Sequence, residues 1–271
     1  MLKVKGFIIM SIVFSAIVPH PPLLIPSIGK ENIGQLKITA DAFKKLEENL
    51  YTSRVDTILI ISPHGHVQSQ AFSMNLSPEF SASFEEFGDF TTKLRFKGDV
   101  GLAHRIRENL ETKAPLQLIS QNALDYGSAV PLFLLAKSLP QVKIIPLYYS
   151  GLDLENHFKF GQLLNRELTY HKERVAVIAS GDLSHRLSKG APAGFSPKGA
   201  KFDQKICELI LKKQYSDIFL LNKKLITEAS ECGLKSIAIL LGIIDGIKHE
   251  PQKLSYEAPF GVGYLMINFK L

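Results

Sequence analysis

Short apolar runs alternate along this chain with stretches whose apolar residues recur at helical spacing. Ser11 to Pro19, Val55 to Ser62, Val142 to Tyr149 and Val175 to Ser180 are rich in Val and Ile and bounded by Pro, Gly and Ser, as strands buried on both faces of a parallel sheet are. Ala71 to Ser77 reads as a further strand. Between Leu36 and Leu50, the residues Leu36, Ala40, Phe43, Leu46 and Leu50 form an apolar stripe with Lys and Glu between them, which predicts an amphipathic helix over the sheet. Similar patterning predicts helices over Val100 to Leu110, Ser128 to Leu139, Leu154 to Leu168 and Phe202 to Lys213, and a mostly buried helix over Ser230 to Asp245. Lys253 to Tyr256 and Gly263 to Phe269 read as a closing hairpin. Pro78 to Phe90, carrying Phe80, Phe84, Phe87 and Phe90, reads as a loop pinned to the core by its aromatics, with a substrate lid as the alternative. Ser188 to Ser196, rich in Gly, Ala and Pro, reads as a mobile loop near the site. The expected architecture is α/β: one domain over residues 1–271, with a largely parallel central sheet, helices on both faces, and a metal site at the C-terminal edge of the strands.

Three of the apolar runs finish on a histidine, His20, His64 or His185. Ligands of open α/β sheets bind at the edge where strands end. Histidine is the commonest metal ligand and titrates nearest neutrality, so three at one edge point to metal chemistry coupled to proton transfer. His20 lies in Val18-Pro19-His20-Pro21-Pro22, where prolines stiffen the backbone. Gly65 beside His64 permits close backbone approach, and His66 reads as a supporting or solvent-facing imidazole. Asp182-Leu183-Ser184-His185 has the composition of a Ser-His-Asp hydrolase, but Ser184 sits in no Gly-x-Ser-x-Gly frame, which leaves His185 as an acid/base. Glu228 and Glu231 precede the buried last helix, and a carboxylate there needs a partner or a metal. Glu231 is the stronger candidate, Cys232 is a softer rival ligand, and a helix N-terminal acid is the structural alternative.

Composition narrows the partners. The net charge of +6 comes from lysines scattered in pairs such as Lys44-Lys45 and Lys212-Lys213, without the dense basic stripe and stacking aromatics of a nucleic-acid surface. Two cysteines, Cys207 and Cys232, point to a reducing cytoplasm and not to a disulfide framework. Lys3 and Lys5 ahead of an apolar run allow a short signal peptide, but a first strand that delivers His20 is the preferred reading, and Met10 is an alternative start. No stretch reaches the ~20 apolar residues of a membrane span.

Five segments in order carry a family resemblance: Val18-Pro19-His20-Pro21-Pro22, Ser62-Pro63-His64-Gly65, Leu124 to Leu132, Ser180-Gly181-Asp182-Leu183-Ser184-His185, and Glu231-Cys232-Gly233-Leu234-Lys235-Ser236. Together they resemble the class III extradiol dioxygenases of the protocatechuate-cleaving β-subunit type, and among these the dioxygenase-like domains of the AmmeMemoRadiSam group, relatives of the Memo proteins. The resemblance implies Fe(II), with zinc or copper as alternatives, held by His20, His64 and Glu231. It implies His185 as acid/base, with Tyr126 and Asp125 completing the catalytic set. A small aromatic substrate and O2 would be the reactants, and partner proteins of the group or a homo-oligomer are further expectations. Two departures stand out. Tyr126 occupies the place of a family histidine, and the Glu231-Cys232 pair is similar both to dioxygenases, which use a glutamate there, and to Memo proteins, which use a cysteine. A Memo-like metal-binding regulatory protein is therefore the main alternative, and a zinc hydrolase the third.

Overall fold

The apolar runs become strands, and their charged neighbours become the helices that cover them. The computed structural model describes residues 11–169 and 172–271. The signal-peptide alternative, with Lys3, Lys5 and Met10, lies outside the described residues. The chain begins with β1 (Ile12–Val18), a short α1 (Pro26–Gly29) and α2 (Lys37–Thr52), then β2 (Thr57–Ser62) and β3 (Phe72–Asn75). A hairpin of β4 (Glu79–Phe84) and β5 (Asp89–Gly98) follows, then α3 (Val100–Leu110), β6 (Leu116–Ile119), α4 (Tyr126–Leu135), β7 (Lys143–Tyr148) and α5 (Leu154–Thr169). The last part comprises β8 (Val175–Ser180), α6 (Pro197–Leu211), α7 (Tyr215–Phe219), α8 (Lys223–Ala229), α9 (Leu234–Ile243), β9 (Glu250–Glu257) and β10 (Tyr264–Lys270).

One sheet runs in the order β4-β5-β7-β2-β8-β1-β10-β9, with β3 alongside the end of β7 and β6 beyond it. Its centre, β7-β2-β8-β1, is parallel, while β10, β9 and β4 join antiparallel. Alternate side chains feed two cores. Leu59, Ile61, Val177 and Ala179 meet α3, α5, α6 and α9 on one face, whereas Ile58, Ile60, Ala176 and Ile178 meet α2 and α4 on the other. Burial on both faces explains why these strands are continuously apolar. The helices α5 and α9 cross almost backbone to backbone. A Cβ added at Gly161 would lie 2.1 Å from the Ile239 carbonyl oxygen, and one at Gly242 2.1 Å from that of Phe158.

Several expectations shift. The stretch from Pro78 to Phe90 is not a loop but most of the β4–β5 hairpin, in which Phe80, Ala82 and Phe84 point inward and Glu79, Ser81 and Ser83 outward. Its outer edge is closed by the segment ahead of α4: the Ser81 amide donates to the Asn122 carbonyl at 2.8 Å, and the Leu124 amide to that of Ser81 at 2.9 Å. The last helix starts at Leu234 and not at Ser230, because Ser230 ends α8 in a left-handed conformation, with φ 53°. Ser188 to Ser196 is tied at both ends. Leu187 donates to the Gly261 carbonyl at 3.0 Å and Ser196 to that of Arg186 at 2.9 Å, and the Ser196 hydroxyl donates to Glu228. No helix among the described residues is long and apolar enough to cross a membrane.

Candidate metal centre

The C-terminal ends of β1, β2 and β8 and the starts of α4 and α9 converge on one point. His20 follows β1, His64 follows β2, Asp182 and His185 follow β8, Tyr126 opens α4, and Cys232 lies two residues before α9. The Nε2 atoms of His20 and His64 are 3.1 Å apart. The Cys232 Sγ lies 3.6 Å from His20 Nε2, and the three donor atoms lie within 4.8 Å of one another. Asp182 Oδ2 approaches His20 Nε2 at 3.7 Å and His185 Nε2 at 4.0 Å. A surface hollow of about 510 Å³ behind the hairpin, lined by Leu94, Phe96, Phe133 and Leu139, includes none of these residues.

Buried hydrogen bonds fix how His20 presents itself. The Ser180 hydroxyl donates to the Gly127 carbonyl, so it can only accept from His20 Nδ1, 2.9 Å away. His20 is therefore protonated on Nδ1, and its Nε2 lone pair faces His64 and Cys232. The His20 amide donates to Asp182 Oδ1 at 3.1 Å, and the Asp182 amide points at Cys232 Sγ at 3.3 Å. Close backbone approach brings the pieces together. A Cβ on Gly181 would lie 2.2 Å from the Gly233 Cα, so only glycine lets the end of β8 touch the start of α9 and bring Cys232 to His20.

The other predicted residues divide into those aimed at this point and those holding it. The Glu231 carboxylate does not join the two imidazoles. Its Oε2 accepts the Leu234 amide at 2.6 Å and caps α9, so the third converging donor is its neighbour Cys232. Asp125 also caps a helix. Its carboxylate accepts from the Ser128 amide at 3.0 Å, the Ser128 hydroxyl at 2.8 Å and the Ser62 hydroxyl, which occupies both oxygens at the start of α4. Tyr126 stacks on His64 with ring centroids 4.4 Å apart and 19° between planes, and Phe87 from the hairpin turn meets Tyr126 edge-on at 5.4 Å. The Nδ1 of His185 donates to the Ser230 carbonyl at 2.7 Å, which leaves Nε2 as the free nitrogen. His66 is exposed, and Glu228 pairs with Arg186 and Lys198 away from the centre. Sequence reasoning missed Ser180 and the position of Asp182. Ser180 is the last residue of a buried strand, where a hydroxyl needs a partner, and that was the available signal.

Burial dominates the electrostatics. It lowers His20 to about 3, with His185 adding to the shift, and His64 to about 4, with His20 and His185 lowering it further and Asp125 opposing. Both imidazoles are neutral at physiological pH, the state a metal requires. Burial raises the Asp182 carboxyl, and it raises the Cys232 thiol and the Tyr126 phenol well above their ordinary values. Tyr126 is thus a hydrogen-bond donor and not a base. Two imidazole lone pairs, a thiol and a carboxylate around one point form a donor set that suits a divalent transition metal.

A largely parallel sheet with this donor set at its strand ends defines an α/β protein with a candidate metal centre. Residues 15–267 match the family described as the catalytic LigB subunit of aromatic ring-opening dioxygenase, and the chain belongs to that family. Protein CA_C1420 of Clostridium acetobutylicum is 30% identical over 258 residues, 92% of this chain and 55% of that protein, so the chain spans about half the length of this relative. The 3,4-dihydroxyphenylacetate 2,3-dioxygenase of Escherichia coli is 25% identical over 202 residues, 71% of this chain and 73% of that enzyme. The 4,5-DOPA dioxygenase extradiol of Portulaca grandiflora is 27% identical over 183 residues, 64% and 65% of the two chains. The crystal structure of the uncharacterized protein JW3007 from Escherichia coli K12 has the same fold, with a TM-score of 0.68 over 94% of this chain and 99% of that one, at 15% identity.

Proposed function

We propose that this protein is an Fe(II)-dependent extradiol-type dioxygenase that opens the ring of a small aromatic diol with O2. The observation that carries this reading is the convergence of His20 Nε2 and His64 Nε2, 3.1 Å apart, with Cys232 Sγ at the ends of three strands. His20, His64 and Cys232 would hold the metal, with Asp182 at the margin of the set. When bound, iron would supply activation of dioxygen beside the substrate. Both oxygen atoms enter the ring-opened semialdehyde, so the overall reaction needs no external reductant.

The chain's own residues supply positioning and proton transfer. His185, anchored through Nδ1, would accept a substrate hydroxyl proton on Nε2 and return it as the ring opens, with Asp182 near enough to stabilise the imidazolium. Such proton transfer typically contributes ~10²- to 10⁴-fold to the rate. Tyr126 would donate a hydrogen bond toward the reacting oxygens, and its stack with His64 and Phe87 forms an apolar wall for a flat substrate. A reducing cytoplasm suits the two free cysteines, Cys207 and Cys232. The test is to load the protein with iron(II) under nitrogen, admit air with a panel of catechols, and measure oxygen uptake and semialdehyde absorbance. Uptake equal to product supports the reading, and no uptake with any catechol ends it.

A second reading is a metal-binding protein without ring-opening activity that works with a partner protein. It draws on Cys232 as the third donor and on Tyr126 in place of a family histidine. Its signature would be stoichiometric copper or zinc in freshly purified protein, lost in Cys232→Ala, with no oxygen uptake after iron loading.

A further inference from the structure

The β4–β5 hairpin is covered on only half of its inward face. Phe80 and Ala82 of β4 are buried, whereas their partners across the ladder, Phe96 and Leu94 of β5, are half-buried. Leu94 and Phe96 line the hollow of about 510 Å³ behind the hairpin, together with Phe133 of α4 and Leu24 ahead of α1. That volume lies in the ~300–1,000 Å³ range of small-molecule sites. Apolar side chains left contiguous in a concave surface mark a groove for a ligand, unlike exposed ones scattered singly.

The charged residues that line the hollow are of one sign. Lys93, Arg95 and Lys137 line it, and no acid does. Lys93 pairs with Glu85 at the hairpin turn. Arg95 and Lys137 are exposed and make no ion pair among the described residues. Glu79 and Glu86 line adjoining hollows that share Arg95, and neither pairs with it. Lys137 follows the end of α4, where a cation also complements the helix carbonyls, so Arg95 is the cation with no other duty. Its planar guanidinium matches a carboxylate through two parallel hydrogen bonds. An apolar hollow with cations at its mouth is complementary to a molecule with a hydrocarbon tail and an anionic head.

We propose that this hollow is a binding site for a free medium-chain carboxylate, with its tail against Leu94, Phe96 and Phe133 and its head on Arg95 and Lys137. None of the lining residues belongs to the metal centre, so occupancy of the hollow is independent of ring opening.

The test is calorimetry on the full chain with three ten-carbon probes below micelle formation: decanoate (anionic), decanol (neutral) and decyltrimethylammonium (cationic). Decanoate is expected to bind one to one and about threefold or more tighter than decanol, with the cationic probe weakest and the preference shrinking at high salt. From hexanoate through octanoate to decanoate, affinity should rise about two- to fourfold per added methylene. The double variant Arg95→Met, Lys137→Met replaces two exposed side chains. It should remove the preference for decanoate while decanol binding stays within about twofold. Equal affinity for decanoate and decanol in the native protein overturns the inference. So does an undiminished preference in the folded double variant, which would put the carboxylate elsewhere, at the metal centre. Binding to anionic vesicles without binding of dispersed decanoate overturns it in favour of a lipid surface. A dimer in sedimentation that excludes decanoate overturns it in favour of an interface between two copies of this chain.

Discussion

At the third donor position, two neighbouring residues compete and backbone geometry decides between them. The sequence reading prefers Glu231 to its neighbour Cys232, but the two sit one residue apart and periodicity does not say which one turns inward. The Glu231 oxygen is captured by the Leu234 amide, which turns Cys232 toward His20. Cys232→Ala is therefore expected to lower bound metal well below stoichiometric, read by elemental analysis. Glu231→Ala should keep the metal and lose about 1 kcal/mol of stability through the missing cap, read by denaturant titration. Ser180→Ala releases the His20 tautomer and should weaken metal affinity about 10- to 100-fold in chelator competition. Asp203 in α6 gives a pH signature. It accepts the Ser184 amide at 2.9 Å and the Tyr256 hydroxyl at 2.7 Å, faces Cys207 and Glu231, and is raised by burial to about 6. The folded state thus holds this proton more tightly than the unfolded chain, and its contribution to stability falls as pH rises from the ordinary carboxylate range through about 6. Asp203→Asn should remove that slope, at most about 1.4 kcal/mol per pH unit, in denaturation curves taken across the window.

Among the elements, those with a strong apolar period were legible, whereas a strand with small polar outward residues and a very short, half-buried one were not. The central strands and α2 follow the sequence pattern to within two residues or so, because full burial forces continuous Val and Ile and half burial forces a stripe. The strand β4 escaped because its alternation is Glu-Phe-Ser-Ala-Ser-Phe, whose outward serines read as loop, and β6 escaped because it is four residues long and none is fully buried. The crossing of α5 and α9 depends on two glycines that no periodicity marks. Gly242→Ala and Gly161→Ala are each expected to cost about 1–3 kcal/mol by forcing the helices apart, read by thermal or denaturant unfolding, with residual folded protein still binding metal.

Across the whole molecule, the donors come from chain positions as distant as His20 and Cys232, so a bound ion would cross-link the ends of β1 and β2 to the approach to α9. The three histidine-tipped strands made this edge visible in the sequence, while the glycine contact that seats Cys232 did not. Because the unfolded chain cannot assemble such a set, metal at about a hundred times its dissociation constant should add about 2.7 kcal/mol. The melting temperature is expected to rise on loading and fall with chelator, and the rise should shrink in Cys232→Ala.

The three-residue link Asn122 to Leu124 has a second duty besides leading into Asp125 and Tyr126. By occupying the amide and carbonyl of Ser81, it caps part of an outermost strand that would otherwise offer unpaired backbone groups to another chain. Lengthening this link therefore exposes a sticky border at the same time as it displaces the aromatic wall. Insertions there should appear first as aggregation during expression, before any loss of chemistry can be measured.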